Sequence, residues 1–278
     1  MRLLVSSEED PASCNMRSLL LRKRDWEPAD AGEFGAGNLL VGDGMAMVTI
    51  EGIHIFEDHL DRRVGGLLDV EFDEVVFLSR HRAASAIPTL TVHPIGNFGE
   101  ARFGGRDGCL VPAAPTLMNG LLRGIAERGS DLPFQISFEV THHGPWLDTP
   151  TVYIEIGSDE SQWEHMGAAE CLTDALLGVR EEDHTTLIGL GGGHYGPRFT
   201  DIVLTRKANF GHMVPAHVLD GADEPAVQEM VSKAMQTSGA TAAYMHRKSM
   251  KRSRASMIAS VLERMDVPLL RSEDLDPL

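Results

Sequence analysis

Five histidines stand at the ends of four predicted strands. Each of these strands is a short apolar run that leads directly into a turn containing histidine. In an open parallel sheet the carboxyl ends of the strands meet at one edge, and ligands bind there. Neutral imidazole is the commonest metal ligand in proteins and also carries protons near neutral pH. The sequence therefore predicts one shared site with metal or acid–base chemistry, formed by His81, His93, His142, His143 and His194.

An acidic residue, Glu139, precedes the adjacent pair His142 and His143 within one apolar run. Zinc hydrolases combine histidine with Asp or Glu and leave one position for water, so Glu139 is a candidate ligand or general base. Neighbouring residues of an extended chain point to opposite sides, so we expect only one of the two histidines to face a given metal. A single histidine of this kind is more often a turn residue bonded to the backbone, but five together favour a functional site.

The elements that would position these residues alternate between strands and helices. This alternation predicts an α/β fold with a largely parallel sheet covered on both faces. We expect a single unit over residues 1–278, in which 27–73 form a smaller lobe with hairpin character and 240–278 a basic appendage. Strands are predicted at 2–5, 45–56, 74–78, 90–92, 134–140, 152–156, 186–190 and 201–205. Helices are predicted at 116–127, 158–177, 223–236 and 253–265.

The charge balance is strongly acidic, with 25 Lys and Arg against 41 Asp and Glu and a net charge of -16. At low salt such a surface repels polyanions. Few of the cations are lysines, and an acidic, lysine-poor surface is also typical of proteins that work in concentrated salt, where long-range repulsion is screened. We expect a salt-adapted protein, with an ordinary acidic cytosolic protein as the alternative.

Several other classes of protein and site are excluded or disfavoured. No apolar run approaches the roughly 18 residues of a membrane-spanning helix. The three cysteines (Cys14, Cys109 and Cys171) are far apart, which argues against a disulfide framework or a cysteine zinc site and fits a reducing cytosol. The run 191–193 of three glycines matches neither common nucleotide motif, and no GxSxG is present.

Two groups of cations stand out against the acidic background. Arg198, Arg206 and Lys207 follow the His194 turn, and a denser tract lies near residue 250. Either group could contact phosphates, although the tract could equally be a solvated helix end. The members of the tract are Arg247, Lys248, Lys251, Arg252 and Arg254.

Five motifs stand in order along the chain. They are Ser79-Arg80-His81, Leu90-Thr91-Val92-His93 with Gly96-Asn97, Glu139-Val140-Thr141-His142-His143-Gly144-Pro145, Gly191-Gly192-Gly193-His194-Tyr195-Gly196-Pro197-Arg198-Phe199-Thr200-Asp201 and Phe210-Gly211-His212-Met213. These motifs resemble those of the archaeal and plant D-aminoacyl-tRNA deacylases. The resemblance runs from Met1 to about Leu219 and is looser beyond. Its two longest motifs, 139–145 and 191–201, are specific.

The resemblance implies a fold, an activity and a cofactor. Members of that family release D-amino acids esterified to tRNA, clear glycine from mischarged alanine tRNA, and are reported to depend on zinc. The implied fold is a three-layer α/β/α sandwich of the phosphorylase and peptidyl-tRNA hydrolase type, with a smaller added α+β part. The matched positions are His81, His93, Asn97, Glu139, His142, His143, His194 and Arg198.

Chemistry then suggests a role for each group of residues. We expect His93, His194 and one of the adjacent histidines, His142, to hold zinc, so that an activated water attacks the ester. Glu139 would orient or deprotonate the water, with His81, His143 and Asn97 as further catalytic residues. Arg198 would hold the terminal ribose or stabilise the oxyanion. The residues expected to contact tRNA or substrate are Arg80, Arg198, Arg206 and Lys207.

Other functions stay open on the sequence alone. A metal-dependent peptidase or amidohydrolase would cleave small amides without tRNA, and a non-catalytic tRNA-binding protein would bind without turnover. A nucleoside phosphorylase is the alternative suggested by the fold, but a fold does not fix a function. We expect D-aminoacyl-tRNA as partner, neither DNA nor a membrane, a monomer or weak dimer, and a cytoplasmic location.

Overall fold

Two β-sheets form the centre of the molecule, which a computed structural model describes over residues 1–278. The strands are β1 (Arg2–Ser7), β2 (Glu27–Pro28), β3 (Leu39–Gly42), β4 (Met45–Ile50), β5 (Glu74–Arg80), β6 (Thr89–His93), β7 (Gln135–Phe138), β8 (Thr151–Gly157), β9 (Thr185–Leu190), β10 (Ala208–Val214), β11 (Ala242–Met245) and β12 (Leu269–Leu270). Eight strands in the order β2-β3-β4-β1-β5-β8-β6-β7 form the larger sheet, and β10-β9-β11-β12 form the smaller one.

Helices cover the sheets, and this confirms the predicted α/β class. The helices are α1 (Pro11–Lys23), α2 (Leu60–Leu68), α3 (Pro115–Arg128), α4 (Glu160–Trp163), α5 (Met166–Leu177), α6 (Pro197–Thr205), α7 (Ala216–Gly221), α8 (Glu224–Ser238) and α9 (Arg252–Arg264). In β1, Leu4 packs in a core that includes residues of α1 and α5, while Leu3 and Val5 face a second core that includes residues of α2. This alternation places helices on both faces of the larger sheet.

Most strand pairs are parallel. The smaller sheet is parallel throughout, whereas β6 runs antiparallel to β8 in the larger sheet. The two sheets meet just beyond β7, where Val140 N–H donates to the His194 carbonyl at 2.9 Å and Gly196 N–H donates to the Phe138 carbonyl at 2.8 Å. The turns after β7 and β9 are therefore held side by side. None of the helices combines the length and the hydropathy of a membrane-spanning segment.

Three sequence predictions of elements are wrong. Residues 201–205 belong to helix α6, since Phe199, Ile202 and Val203 are buried with helical spacing behind Pro197 at the first turn. The helix expected over 158–177 is interrupted between α4 and α5, each of which has its own side-chain cap. The strand expected over 45–56 ends at residue 50, and a short 3-10 turn occupies 54–56.

The two segments singled out by composition contribute to the sheets. Residues 27–73 supply β2, β3 and β4, whose antiparallel pairs extend the larger sheet. Residues 240–278 supply β11, which pairs with both β9 and β12, together with α9. The division of the chain into a lobe and an appendage stays a prediction.

Candidate active site

Strand ends bring the five histidines together. His81 directly follows β5, His93 ends β6, and His194 lies in the turn beyond β9. The ring centroids of His93 and His142 are 4.4 Å apart, those of His142 and His194 4.8 Å, and those of His81 and His194 5.1 Å. His143 joins them, 4.4 Å from His142 and 5.0 Å from His93. The expected cause, carboxyl ends that share one edge, is wrong for β6, because β6 runs antiparallel to β8 whereas β5 runs parallel to it. His81 and His93 come together because β5 and β6 both pair with β8 around Glu155.

Glu139 lies at the centre of this cluster, and its side chain is fully buried. Its Oε2 is 2.9 Å from His194 Nε2 and 3.4 Å from His142 Nε2, and its Oε1 is 3.3 Å from His81 Nδ1. His194 is the most exposed of the four residues, with 42% of its side chain accessible. A buried carboxylate is thus connected to solvent through one imidazole.

A second buried carboxylate, Glu155, is absent from the residues expected from sequence. Its Oε2 lies 3.4 Å from His93 Nε2 and 3.6 Å from His81 Nδ1. Glu155 stands in the middle of β8, where the sequence Val-Tyr-Ile-Glu-Ile is otherwise apolar. A charged residue inside a buried strand costs free energy unless it is paired. The single glutamate in this apolar run was therefore the sequence signal that could have identified Glu155 as a site residue.

Backbone carbonyls fix the tautomers of three histidines. His93 Nδ1 is 3.2 Å from the Pro94 carbonyl, His142 Nδ1 2.8 Å from that of Val140, and His143 Nδ1 2.6 Å from that of Gly144. A carbonyl oxygen only accepts, so each Nδ1 carries the proton and donates it. Each Nε2 is left with a free lone pair, as a metal ligand requires.

The adjacent histidines do not point to opposite sides, and the expectation that they would is wrong. His142 and His143 both line one cavity, because the chain is not extended there and His143 has a φ of 41°. Close backbone packing holds this turn, since a Cβ on Gly144 would lie 2.2 Å from the Gly105 nitrogen. Only glycine allows the loop around residue 105 to approach so closely.

Burial and mutual charge set the protonation of the cluster. Burial raises the pKa of Glu155 and of Glu139, but the neighbouring imidazoles outweigh it and leave both values below the usual range. Burial and the neighbouring imidazoles lower the pKa of His142 well below its usual value, and that of His143 to about 4. Burial also opposes protonation of His93, but Glu155 raises its pKa overall. Ionised Glu139 and Glu155 and neutral His142 and His143 are in the states that metal ligands need.

The donor atoms fit a metal ion. Two sets that share no residue each place their ligand atoms within 4.8 Å of one another: His93 with His142 and His143, and His81 with Glu139 and His194. Four buried atoms of the cluster make no hydrogen bond of good geometry, although imidazole nitrogens lie near the carboxylates, and this is costly unless something else binds them. These atoms are His93 Nε2, both carboxylate oxygens of Glu139 and Glu155 Oε2.

A cavity of about 290 Å³ opens onto the cluster. His81, His142, His143, His194 and Glu155 line one part of it. The other lining residues are Ser7, Glu9, Asp10, Ile53, His54, Ile55, Ser79, Arg80, Arg82 and Phe103. The cavity therefore combines acid–base groups with cations and a few apolar side chains.

The chain is similar to known proteins over nearly its whole length. A family model described as D-aminoacyl-tRNA deacylase matches residues 68–270. The chain belongs to the D-aminoacyl-tRNA deacylase family. It is 36% identical over 279 residues to the D-aminoacyl-tRNA deacylase of Methanosarcina mazei, covering 98% of this chain and 92% of that protein. The deacylase of Thermoplasma acidophilum is 33% identical over 271 residues, covering 97% and 99%.

A solved structure shares the whole fold of this deacylase. It is the crystal structure of a conserved protein of unknown function, AF0625, with a TM-score of 0.89 and 32% identity. The match covers 99% of this chain and 96% of that one. The family resemblance inferred from the motifs is therefore confirmed.

Within the deacylase, four of the expected residues lie away from the cavity. The Asn97 amide donates to the Gly104 carbonyl at 3.0 Å and so holds a loop. Arg198 lines a different groove, described below. Arg206 and Lys207 directly precede β10, at the edge of the smaller sheet opposite the carboxyl ends.

Arg80, by contrast, lines the cavity of the deacylase. Its guanidinium stacks over the Trp163 ring at 4.7 Å and donates to the Glu9 carbonyl at 3.1 Å. The Asp10 carboxylate accepts the Arg80 backbone N–H at 2.7 Å. Arg80 is thus a cation held in a defined position at the cavity wall.

Proposed function

We propose that this protein hydrolyses the ester bond between a D-amino acid and the terminal ribose of tRNA, releasing free tRNA and the amino acid. Glycine mischarged on alanine tRNA is a second substrate of the same reaction. One observation carries the proposal: a member of this family has a fully buried carboxylate, Glu139, in contact with three imidazoles that open onto a cavity. This arrangement suits acid–base hydrolysis of an ester.

Zinc is the cofactor we propose, held by the Nε2 atoms of His93, His142 and His143. Support comes from the three Nδ1–H donors, which leave these Nε2 lone pairs free, and from the spacing of the ligand atoms within 4.8 Å. This set replaces His194, the ligand expected from sequence, by His143. Bound zinc supplies Lewis acidity, which polarises an ester carbonyl and makes water more acidic.

Glu139, His81 and His194 take part in proton transfer. Glu139 accepts, through His194, a proton from the attacking water, whose oxygen forms the new bond to the carbonyl carbon. The bond from that carbon to the ribose oxygen breaks, and the proton reaches the leaving oxygen through His194, which lies 2.9 Å from Glu139. His81 keeps the carboxylate ionised and is itself placed by Tyr195, whose hydroxyl lies 3.2 Å from His81 Nε2.

Arg80 is the cation we propose to contact the substrate. The indole of Trp163 and the Glu9 carbonyl already fix its guanidinium at the cavity wall. Little side-chain freedom is therefore lost when a phosphate or the developing oxyanion binds.

The acidic surface supports a further element of the proposal. A net charge of -16 on a protein that acts on a polyanion fits a working environment of concentrated salt, in which only short-range contacts matter. Because aminoacyl-tRNA is used in the cytoplasm, we place the protein there.

The test is deacylation of D-tyrosyl-tRNA and L-tyrosyl-tRNA by the purified protein in high salt. We expect turnover of the D-ester and little of the L-ester, with tyrosine and intact tRNA as products. Absence of turnover of the D-ester by zinc-loaded protein across a range of salt concentrations would overturn the proposal. Cleavage of small amides in its place would favour a peptidase or amidohydrolase.

A further inference from the structure

We propose that a second groove binds the phosphodiester backbone of tRNA near its aminoacylated end. The inference rests on the proposed function. The groove has a volume of about 630 Å³, more than twice that of the catalytic cavity. We call it the basic groove and define it by Arg198, His246, Arg247, Lys248 and Arg271, which line it.

The basic groove adjoins the catalytic cavity. His246 directly follows β11, and β11 pairs with β9, whose turn carries His194. The Gly192 N–H in that turn donates to the Ser249 hydroxyl at 2.7 Å, so the chain beyond β11 packs directly on the turn. The turn therefore separates two openings, with the catalytic imidazoles on one side and the cations on the other.

The cations of the groove are available to a ligand. Arg247 and Lys248 are exposed and make no ion pair in the structure. Neutral hydroxyls place Arg198, because its Nε donates to the Tyr244 hydroxyl at 2.9 Å and its Nη2 to the Ser272 hydroxyl at 2.6 Å. The Asp201 carboxylate lies 4.0 Å from its Nη1, but this mostly exposed acid offsets little of the charge. An arginine fixed by neutral hydroxyls keeps its charge for a phosphate.

The charge of the groove is opposite to that of the whole chain. Four Lys and Arg side chains line it against one acid, Glu273, whereas the chain has 25 such cations against 41 acids. Arg271 is 3.7 Å from Glu273, and both side chains are mostly exposed, so this pair offsets little of the charge. Such a concentration of cations favours a polyanion, even where salt screens the rest of the surface.

The size of the catalytic cavity indicates which polyanion this is. A volume of about 290 Å³ is too small for several nucleotides, so the nucleotides that precede the aminoacylated end must lie outside. The basic groove is the adjoining surface whose charge suits their phosphates. Arg198 is thus a phosphate-positioning residue of the groove, not the oxyanion contact expected from sequence.

The test compares a double variant, Arg247→Ala with Lys248→Ala, with the zinc-loaded wild-type protein on two substrates. D-Tyrosyl-tRNA has to use the groove, whereas D-tyrosyl-adenosine carries the same ester without any further nucleotide. We expect the KM for the tRNA to rise about tenfold or more with kcat unchanged, and turnover of the nucleoside ester to stay at the wild-type value. The control is Arg22→Ala with Arg24→Ala, two exposed cations at the end of α1, which removes the same charge and leaves both KM values unchanged.

A binding measurement keeps the two proposals separate. The dissociation constant for uncharged tRNA, measured against salt concentration, should lose about 0.7–0.9 of its logarithmic slope for each phosphate contact removed. The charge-conserving variant Arg247→Lys with Lys248→Arg should keep the wild-type slope. If the wild-type protein cleaves neither ester, the proposed function fails, and the binding slope alone then decides on the groove. A wild-type KM and slope in the alanine variant, or an equal loss on both esters, would overturn the groove.

Discussion

The Glu139 carboxylate lies 2.9 Å from the Nε2 atom of His194, although the two residues follow strands of different sheets. Glu139 comes after β7 at the edge of the larger sheet, and His194 comes after β9 in the smaller one. Hydrogen bonds between the two turns fix this distance. The junction of the sheets thus joins a buried carboxylate to an imidazole that reaches solvent.

Replacing Glu139 tests its part in proton transfer. Glu139→Gln keeps the shape of the side chain but cannot accept the proton, so we expect kcat on D-tyrosyl-tRNA to fall about 10²–10⁴-fold with a small change in KM. Steady-state deacylation assays give both constants. Glu263→Gln, an exposed change on α9, is the matched control. A wild-type kcat for Glu139→Gln would remove this carboxylate from the reaction.

Zinc content distinguishes the two sets of candidate ligands. Because the Nε2 lone pairs of His93, His142 and His143 are free, we expect His143→Ala to purify with little zinc and little activity. His194→Ala should keep its zinc and lose activity, since His194 acts on protons. Metal analysis of both variants by mass spectrometry checks this. The reverse pattern, with zinc lost from His194→Ala alone, would restore the ligand set expected from sequence.

A histidine outside the cavity should weaken the fold in acid. Burial lowers the pKa of His212 to about 4, and its ring lies between the Val111 carbonyl at 2.9 Å and the Thr141 hydroxyl at 3.1 Å. Between its unfolded value of about 6.5 and about 4, the unfolded chain binds a proton that the folded protein does not. Stability is therefore lost as the pH falls through this window, by up to about 3 kcal/mol from this residue.

His212→Gln removes this contribution. The variant should be less stable at pH 8 but lose less free energy of unfolding between pH 6.5 and 4, as measured by urea unfolding. His217→Gln, at an exposed position, should keep the wild-type slope. An unchanged slope in His212→Gln would show that the residue titrates normally in the folded protein.

Salt should stabilise the protein. A net charge of -16 makes the folded chain repel itself, and the range of this repulsion falls from about 30 Å at 0.01 M salt to about 3 Å at 1 M. We expect Tm to rise with KCl concentration, mostly below about 1 M. Thermal unfolding followed by circular dichroism measures it, with sucrose as a control for non-electrostatic stabilisation. A Tm that stays constant or falls with KCl would contradict the salt-adapted account.

The sequence predicts the site better than it predicts all of the elements. The five histidines could be grouped because each lies just after or at the end of an apolar run. The assumption that all of these strands run parallel was wrong, since β6 and β7 run opposite to β5 and β8. Glu155 could not be placed in this way, since its position depends on register. It pairs with Ser79 of β5 on one side and with Thr91 of β6 on the other. The antiparallel pairing of β6 with β8 is not encoded in any local pattern.

The positions of the cations could not be predicted from the sequence for the same reason, since they too depend on strand pairing. Arg198, Arg206 and Lys207 are close in sequence, but helix α6 and the start of β10 carry the last two to the opposite edge. Arg198 instead meets Arg247 and Lys248, which are about 50 residues away along the chain. Charge along the sequence therefore identified the right residue types, while the pairing of β9 with β11 decided which of them share a surface.

The most direct test of the account is turnover of D-tyrosyl-tRNA by one preparation before and after removal of its zinc. The account predicts that chelation, verified by metal analysis, abolishes hydrolysis and that added zinc restores it. L-Tyrosyl-tRNA should stay intact in every sample. Full hydrolysis of the D-ester by protein shown to be free of metal would contradict the account.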